Sequence, residues 1–215
     1  MRRRFFVEQF GDGSAVIEGE TAHHLGRVLR AQEGQFYELS DGERAWLGRI
    51  DKVGRDRVEF TLVEELLAYR PPVDVTLLLA VVKFDAFEWA IEKATELGVS
   101  TIVPLAAARS EKALLVAAGK RAERWKKILA EASQQSRRLK VPSLEAVTRP
   151  EESFASARNG LQLLLSESQD APSLRQVLAG QKTASAAIAI GPEGGWTDKE
   201  FDVAQQSGFK QVSLG

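Results

Sequence analysis

The residues best suited to chemistry lie near the C-terminal end, in Gly191-Pro192-Glu193-Gly194-Gly195-Trp196 and the Thr197-Asp198-Lys199-Glu200 that follows. The loop comes after a short, continuous apolar run, residues 184–190, of the kind that forms a strand covered on both faces. Gly194 and Gly195 permit positive φ and close approach of the backbone to a ligand. Thr197 and Glu200 have capping-box spacing, so a helix is expected to start there with its free N–H groups toward the loop. A strand-end loop beside a helix N-terminus commonly holds a nucleotide-like ligand. An ordinary tight strand–helix connection would read the same way locally.

The loop fits neither the dinucleotide fingerprint G-x-G-x-x-G nor the phosphate loop G-x-x-x-x-G-K-[ST]. It contains no basic residue, and Glu193 adds a negative charge. A polyphosphate is therefore disfavoured. A neutral or cationic ligand carrying adenine or ribose fits better.

Other clusters point less sharply. Glu88, Glu92 and Glu96 repeat at i,i+4, where like charges oppose helix formation. The row is either a solvated acidic face or is neutralised from elsewhere, with Arg109 and Lys112 as candidates. The stretch 120–127 is basic around Trp125 and leads through the polar run 133–136 to Arg137-Arg138-Leu139-Lys140. Cations at a helix C-terminus are explained by the helix dipole alone. Together with the N-terminal arginines they could also line an RNA groove. No Ser-His-Asp spacing is present. The absence of cysteine and the presence of only two histidines argue against disulfides and against a thiolate or histidine-rich metal site.

These residues need elements to hold them. Residues 1–70 read as a small β-rich domain with strands at 5–7, 15–17, 35–39, 45–50 and 57–62 and a helix at 21–30. Its arginines suit either a solvated surface or a phosphate-contacting module. Tyr69-Arg70-Pro71-Pro72 marks a boundary, since adjacent prolines block both helix and ladder. Residues 73–215 alternate strand and helix. Strands are expected at 75–82, 101–104, 161–165, 185–190 and 211–214, and helices at 84–97, 121–137, 173–178 and 197–207. That is an α/β domain with a mainly parallel sheet. The net charge of −1 argues weakly against a protein coated in nucleic acid but allows local basic patches. No run approaches the roughly 20 apolar residues of a membrane span, and no apolar segment follows Arg2-Arg3-Arg4 as in a secretory signal. The cytoplasm is the expected compartment.

Several elements in order resemble the RsmE family, the 16S ribosomal RNA uridine N3-methyltransferases of the SPOUT class. His24-Leu25-Gly26-Arg27-Val28-Leu29-Arg30 is similar to the family's H-x-x-R-V-L-R element, and Lys93-Ala94-Thr95-Glu96-Leu97-Gly98-Val99 to its K-x-T-E-L-G-V. Pro104 with Arg109-Ser110, then Arg124-Trp125, Glu131-Ala132, Gln135, Arg138 and Pro142, continue the likeness. Ile190 to Gly195 with Glu200 resembles the cofactor loop, and Leu214-Gly215 the start of the last motif. The resemblance spans nearly the whole chain; its order rather than any one element makes it specific.

What it implies is a PUA-like β-barrel RNA-binding domain over 1–70, then a SPOUT α/β domain over 73–215 with a deep trefoil knot. In the family, the leucine-glycine pair is followed by an L-R-x-E-T-A segment and a terminal helix. The knot's last part and the pocket's third wall are therefore expected after Gly215. The implied cofactor is S-adenosylmethionine, framed by Leu165, Glu167, Ile190, Gly191, Gly194, Gly195, Leu214 and Gly215. Arg3, Arg27, Arg30, Arg109, Arg124 and Arg138 are the candidate RNA contacts, and Glu193 is the candidate catalytic group. The implied partners are 16S ribosomal RNA, naked or within the small subunit, and a second copy of the chain. The rival expectation is a non-catalytic RNA-binding or ribosome-assembly protein with a degenerate SPOUT domain.

Overall fold

The computed structural model describes residues 3–157, 160–168 and 170–214. It divides into two units: Met1–Arg70 with Ala130–Val141, and Pro71–Leu129 with Pro142–Gly215.

The first unit contains β1 (Arg4–Phe6), β2 (Ser14–Glu18), β3 (Phe36–Ser40), β4 (Ala45–Val53) and β5 (Arg57–Leu66). They form one sheet in the order β1-β3-β4-β5-β2, parallel at β1–β3 and antiparallel elsewhere. The sheet curls into a half-barrel. Among the described residues its edge strands β1 and β2 do not pair, so the expected barrel is not closed by a ladder. Alternation along β2 turns Ala15 and Ile17 inward, where they meet Phe5, Leu39, Ile50 and Phe60. Between β2 and β3, α1 (Gly19–His23) widens into a π-helical turn at His24–Val28. The expected regular helix over 21–30 is thus interrupted. The turn buries Leu25 while Arg27 and Val28 face solvent.

A charge network ties Ala130–Val141 into this unit. Buried Glu38 accepts from Arg4 at 3.0 Å and from Nε of Arg137 at 3.0 Å, and pairs with the other arm of Arg137. Arg4 also donates to the Arg137 carbonyl at 2.6 Å, and Ser40 donates to the Leu139 carbonyl at 2.8 Å. Burial, and then the Arg137 charge, pull the Arg4 guanidinium below its ordinary value.

The second unit has β6 (Asp74–Ala80), β7 (Thr101–Leu105), β8 (Ser143–Leu144), β9 (Leu161–Leu165), β10 (Ser185–Ile190) and β11 (Lys210–Val212). Their order is β11-β9-β10-β6-β7-β8, and every ladder is parallel. The unit also holds α2 (Phe84–Leu97), α3 (Lys112–Ala118), the first part of α4 (Ala122–Gln135), which continues into the first unit from Ala130, α5 (Pro150–Ser156), α6 (Leu174–Leu178) and α7 (Asp198–Gln206). Gly98 ends α2 at φ 105°, a left-handed cap open to glycine. The acidic row on α2 is neutralised, though not by Arg109 or Lys112. Glu88, which is buried, pairs with Arg124 at 2.7 Å and Arg121 at 3.3 Å, while Lys93 bridges Glu92 and Glu96. Beside that pair Trp125 stacks on Phe87, fixing the first half of α4 against α2.

Candidate active site

The strand order brings the C-terminal ends of β9, β10 and β11 side by side. In an open parallel sheet, ligands bind beyond those ends. A pocket of about 950 Å³ opens there. It takes Leu165 from the end of β9 and Glu167 from the loop after it, Ile190 from the end of β10 and Gly191, Gly194 and Gly195 from the loop after it, and Leu214 from beyond β11. Seven of the eight residues expected to frame a cofactor thus meet in one place. Gly215 lies outside the described residues. Glu193 is exposed in the turn and is not among the residues lining the pocket.

Trp196 organises the loops. Its indole N–H donates to the Leu165 carbonyl at 3.1 Å, joining the loops after β9 and β10. Its ring packs edge-on against Phe154 and lies against Gly191, where a Cβ would come within 2.9 Å of the indole. Only a glycine leaves room for that ring. Of the two later glycines, Gly195 adopts a positive φ, 71°, while at Gly194 a Cβ would meet the stem of Arg109 at 3.4 Å.

The capping box is present. Thr197 accepts the Glu200 N–H at 3.3 Å, and Glu200 accepts the Thr197 N–H at 2.8 Å. The other oxygen of this buried carboxylate accepts the Ala108 N–H at 2.8 Å, which ties the segment after β7 to the start of α7. Next along that segment, Arg109 donates from one nitrogen to the carbonyls of Gly194 at 2.7 Å and Trp196 at 3.1 Å, and it lines the pocket.

The pocket has apolar walls at Leu165, Ile190 and Leu214, glycine backbone at its floor, one cation in Arg109 and one carboxylate in Glu167. That donor set suits a flat heterocycle with a ribose better than a polyphosphate, which needs several cations or a nest of N–H groups. Among the described residues no group of three or more His, Cys, Asp or Glu could hold a metal ion.

Residues 69–215 match a family described as the RNA methyltransferase domain, and residues 17–63 match one described as the RNA methyltransferase PUA domain. The ribosomal RNA small subunit methyltransferase E of a Synechocystis species is 33% identical over 97% of this chain and 69% of its own length. The Bacillus subtilis protein of the same name is 32% identical over 96% of this chain and 86% of its own. The chain belongs to the ribosomal RNA small subunit methyltransferase E family. A crystal structure of the Neisseria gonorrhoeae member, bound to S-adenosyl methionine, superposes with a TM-score of 0.87 at 26% identity, covering 100% of this chain and 90% of that one. A putative methyltransferase from Legionella pneumophila, in complex with the same cofactor, gives the same score, identity and coverage.

In this member of the methyltransferase E family the six candidate RNA arginines have different surroundings. Arg3, Arg27, Arg30 and Arg138 belong to the first unit, Arg109 and Arg124 to the second. Arg27 and Arg30 are exposed on and just after the π-helical turn, with Arg30 at φ 50°. Arg3 is half-buried. Arg138 is also half-buried, and that burial pulls its guanidinium below its ordinary value. Arg124 is already paired with Glu88. Arg109 braces the glycine loop. Sequence reasoning assigned no role at the site to Trp196, Phe201 or Gln211, which also line the pocket. Trp196 carried one signal, its place directly after a glycine pair.

Proposed function

We propose that this chain is an S-adenosylmethionine-dependent methyltransferase acting on N3 of a specific uridine in 16S ribosomal RNA. It works in the cytoplasm as a homodimer. Residues 1–70 form its PUA-like RNA-binding domain and residues 73–215 belong to its SPOUT domain, whose trefoil knot is completed by the segment expected after Gly215. The observation that carries the reading is the convergence of three strand-end loops on a pocket with glycine backbone, apolar walls and no phosphate fingerprint.

The cofactor supplies an electrophilic methyl group on a cationic sulfur. Leu165, Ile190 and Leu214 would hold its adenine by apolar contact, and the backbone of the 191–195 turn would lie along it. Glu167 would face its ribose hydroxyls or its positive charge. The turn is held open for this by the indole of Trp196 under Gly191 and by the two bonds from Arg109. N3 of uracil sits on the Watson–Crick edge, so the target base must be unpaired or flipped out to reach the pocket. It must also lose its proton before it can attack, so the site must favour the uracil anion.

The test joins binding to product mapping. Titration calorimetry of the full-length protein should show S-adenosylmethionine or its demethylated product binding and NAD not binding. Small-subunit RNA lacking the modification, both naked and as assembled subunits, should then accept methyl groups. A methyl on the Watson–Crick edge arrests reverse transcription, so one new stop at a uridine is expected. Transfer to carbon or to a ribose oxygen, which leaves no such stop, would overturn the N3 assignment. Absence of cofactor binding would overturn the whole reading. Light scattering that gives a monomer mass would reject the dimer.

A further inference from the structure

Resting on that reading, we infer that Arg109 is the catalytic cation of the site, the charge that holds the target uracil as its anion while N3 attacks.

Three observations meet at this residue. Arg109 is the sole cation among the described residues that line the pocket. Among the described residues no carboxylate forms an ion pair with it, in contrast to Arg124, Arg121 and Arg4, each matched to a glutamate. Its place is over-determined. One nitrogen is bonded to two loop carbonyls, its stem lies beside Gly194, and the residue before it is bonded to buried Glu200. Backbone carbonyls orient a guanidinium without cancelling its charge. The result is a cation fixed in direction and left with charge to spend.

Arg109 is exposed, so a base that enters the pocket from solvent can reach its guanidinium. The donor is itself cationic, so an unmatched guanidinium in the same pocket opposes its binding unless something anionic comes between them. The uracil anion, with its charge spread over O2, N3 and O4, is such a group. The step balances without a further reactant. N3 gives up its proton to solvent, its electron pair forms the N–CH₃ bond, and the S–CH₃ bond breaks to leave a neutral thioether. Charged groups on the surrounding elements are Glu167 in the pocket lining, Glu193 in the turn, Glu111 on the same segment with Lys112 at the start of α3, and Asp198, Lys199 and Glu200 at the start of α7, where Lys199 pairs with Glu151. Glu200 is committed to Ala108 and Thr197. Glu167 and Glu193 would oppose the anion, which makes the guanidinium more necessary.

The experiment is the pH dependence of single-turnover methyl transfer to small-subunit RNA, with RNA and S-adenosylmethionine saturating, for the wild type, Arg109→Gln and Arg109→Lys. The wild-type rate should rise tenfold per pH unit and then level off where the bound uracil becomes anionic. An opposite charge within about 4 to 6 Å moves such a break by about one to three units. In Arg109→Gln the break should therefore move to higher pH by that amount, with a rate about ten- to a thousandfold lower on the acidic side that recovers on the alkaline side. Arg109→Lys keeps the charge and should restore most of the break's position. Calorimetry should find cofactor affinity lowered in Arg109→Gln, which removes the two bonds that brace the glycine turn; saturating cofactor keeps that loss out of the rate profile. A uniform loss of rate with an unmoved break would overturn the assignment, leaving Arg109 a brace. So would a large loss of cofactor affinity with an unmoved break, which would give the guanidinium to the cofactor's carboxylate. A wild-type protein inactive on the RNA would instead overturn the proposed function, and this inference with it.

Discussion

At Glu38 a buried carboxylate faces one buried guanidinium and one half-exposed guanidinium. Removing one partner of such a group leaves a charge stranded in low dielectric. Glu38→Ala is expected to destabilise the protein by about 3 kcal/mol, the low end for buried pairs because Arg137 is half exposed. The shift of the urea midpoint reads it. Glu88 offers a pH test. The Arg124 hydrogen bond holds its carboxyl below the ordinary carboxylate range, against the opposing effect of burial. A depressed folded value stabilises the protein above the unfolded pKa of about 4.3. That contribution is lost as pH falls through the lower folded value. Glu88→Gln should lower stability at neutral pH and flatten the acid limb of the stability curve; an acid limb parallel to the wild type would contradict the pairing. The acidic row was legible as a row that needed partners. The partners of Glu88 were not, because Arg121 and Arg124 sit more than thirty residues away, and sequence spacing does not report which helix faces are packed together.

The turn after β10 is the element whose geometry was most readable. A capping box is a local device, so Thr197 and Glu200 declare it from their spacing. Thr197→Ala should cost about 1 kcal/mol, as ordinary caps do. Glu200→Ala should cost clearly more, because it also strands the Ala108 N–H. Thermal denaturation of the pair tests the difference, and equal costs would mean that the link to β7 carries no energy. Gly191→Ala presses a methyl into the Trp196 ring, an overpacking expected to cost about 1 to 3 kcal/mol. Cofactor affinity should fall with it, which calorimetry measures. Elsewhere local reasoning ran short. α3, α5 and β8 span seven, seven and two residues, too few for a hydrophobic period to rise above chance. The bond from Trp196 to Leu165 joins residues 31 apart and left no local trace.

Over the whole molecule, the alternation of strand and helix after Pro72 announced a parallel sheet, and the sheet is parallel throughout. The proline boundary at 71–72 coincides with the first break between the two units. That Ala130–Val141 belongs to the first unit could not be read, because its bonds to Glu38 and Ser40 span 99 residues. At this scale the RNA reading is tested by Arg27→Ala with Arg30→Ala. Each phosphate that is no longer neutralised should lower the log–log salt slope of RNA binding by about 0.7 to 0.9. Cofactor affinity should be unaltered, since the two arginines do not line the pocket. An unchanged slope would remove these residues from the RNA surface.

The tie between Glu38 and Arg137 also bears on how the chain is made. A ribosome releases Glu38 long before Arg137, and at roughly 5 to 20 residues per second the wait lasts on the order of five to twenty seconds. Throughout that interval the nascent sheet carries an acidic group whose two intended neighbours have not both arrived. The N-terminal part of this protein is thus born first but finished late. Its last strap is delivered only after the first two strands of the parallel sheet have been synthesised.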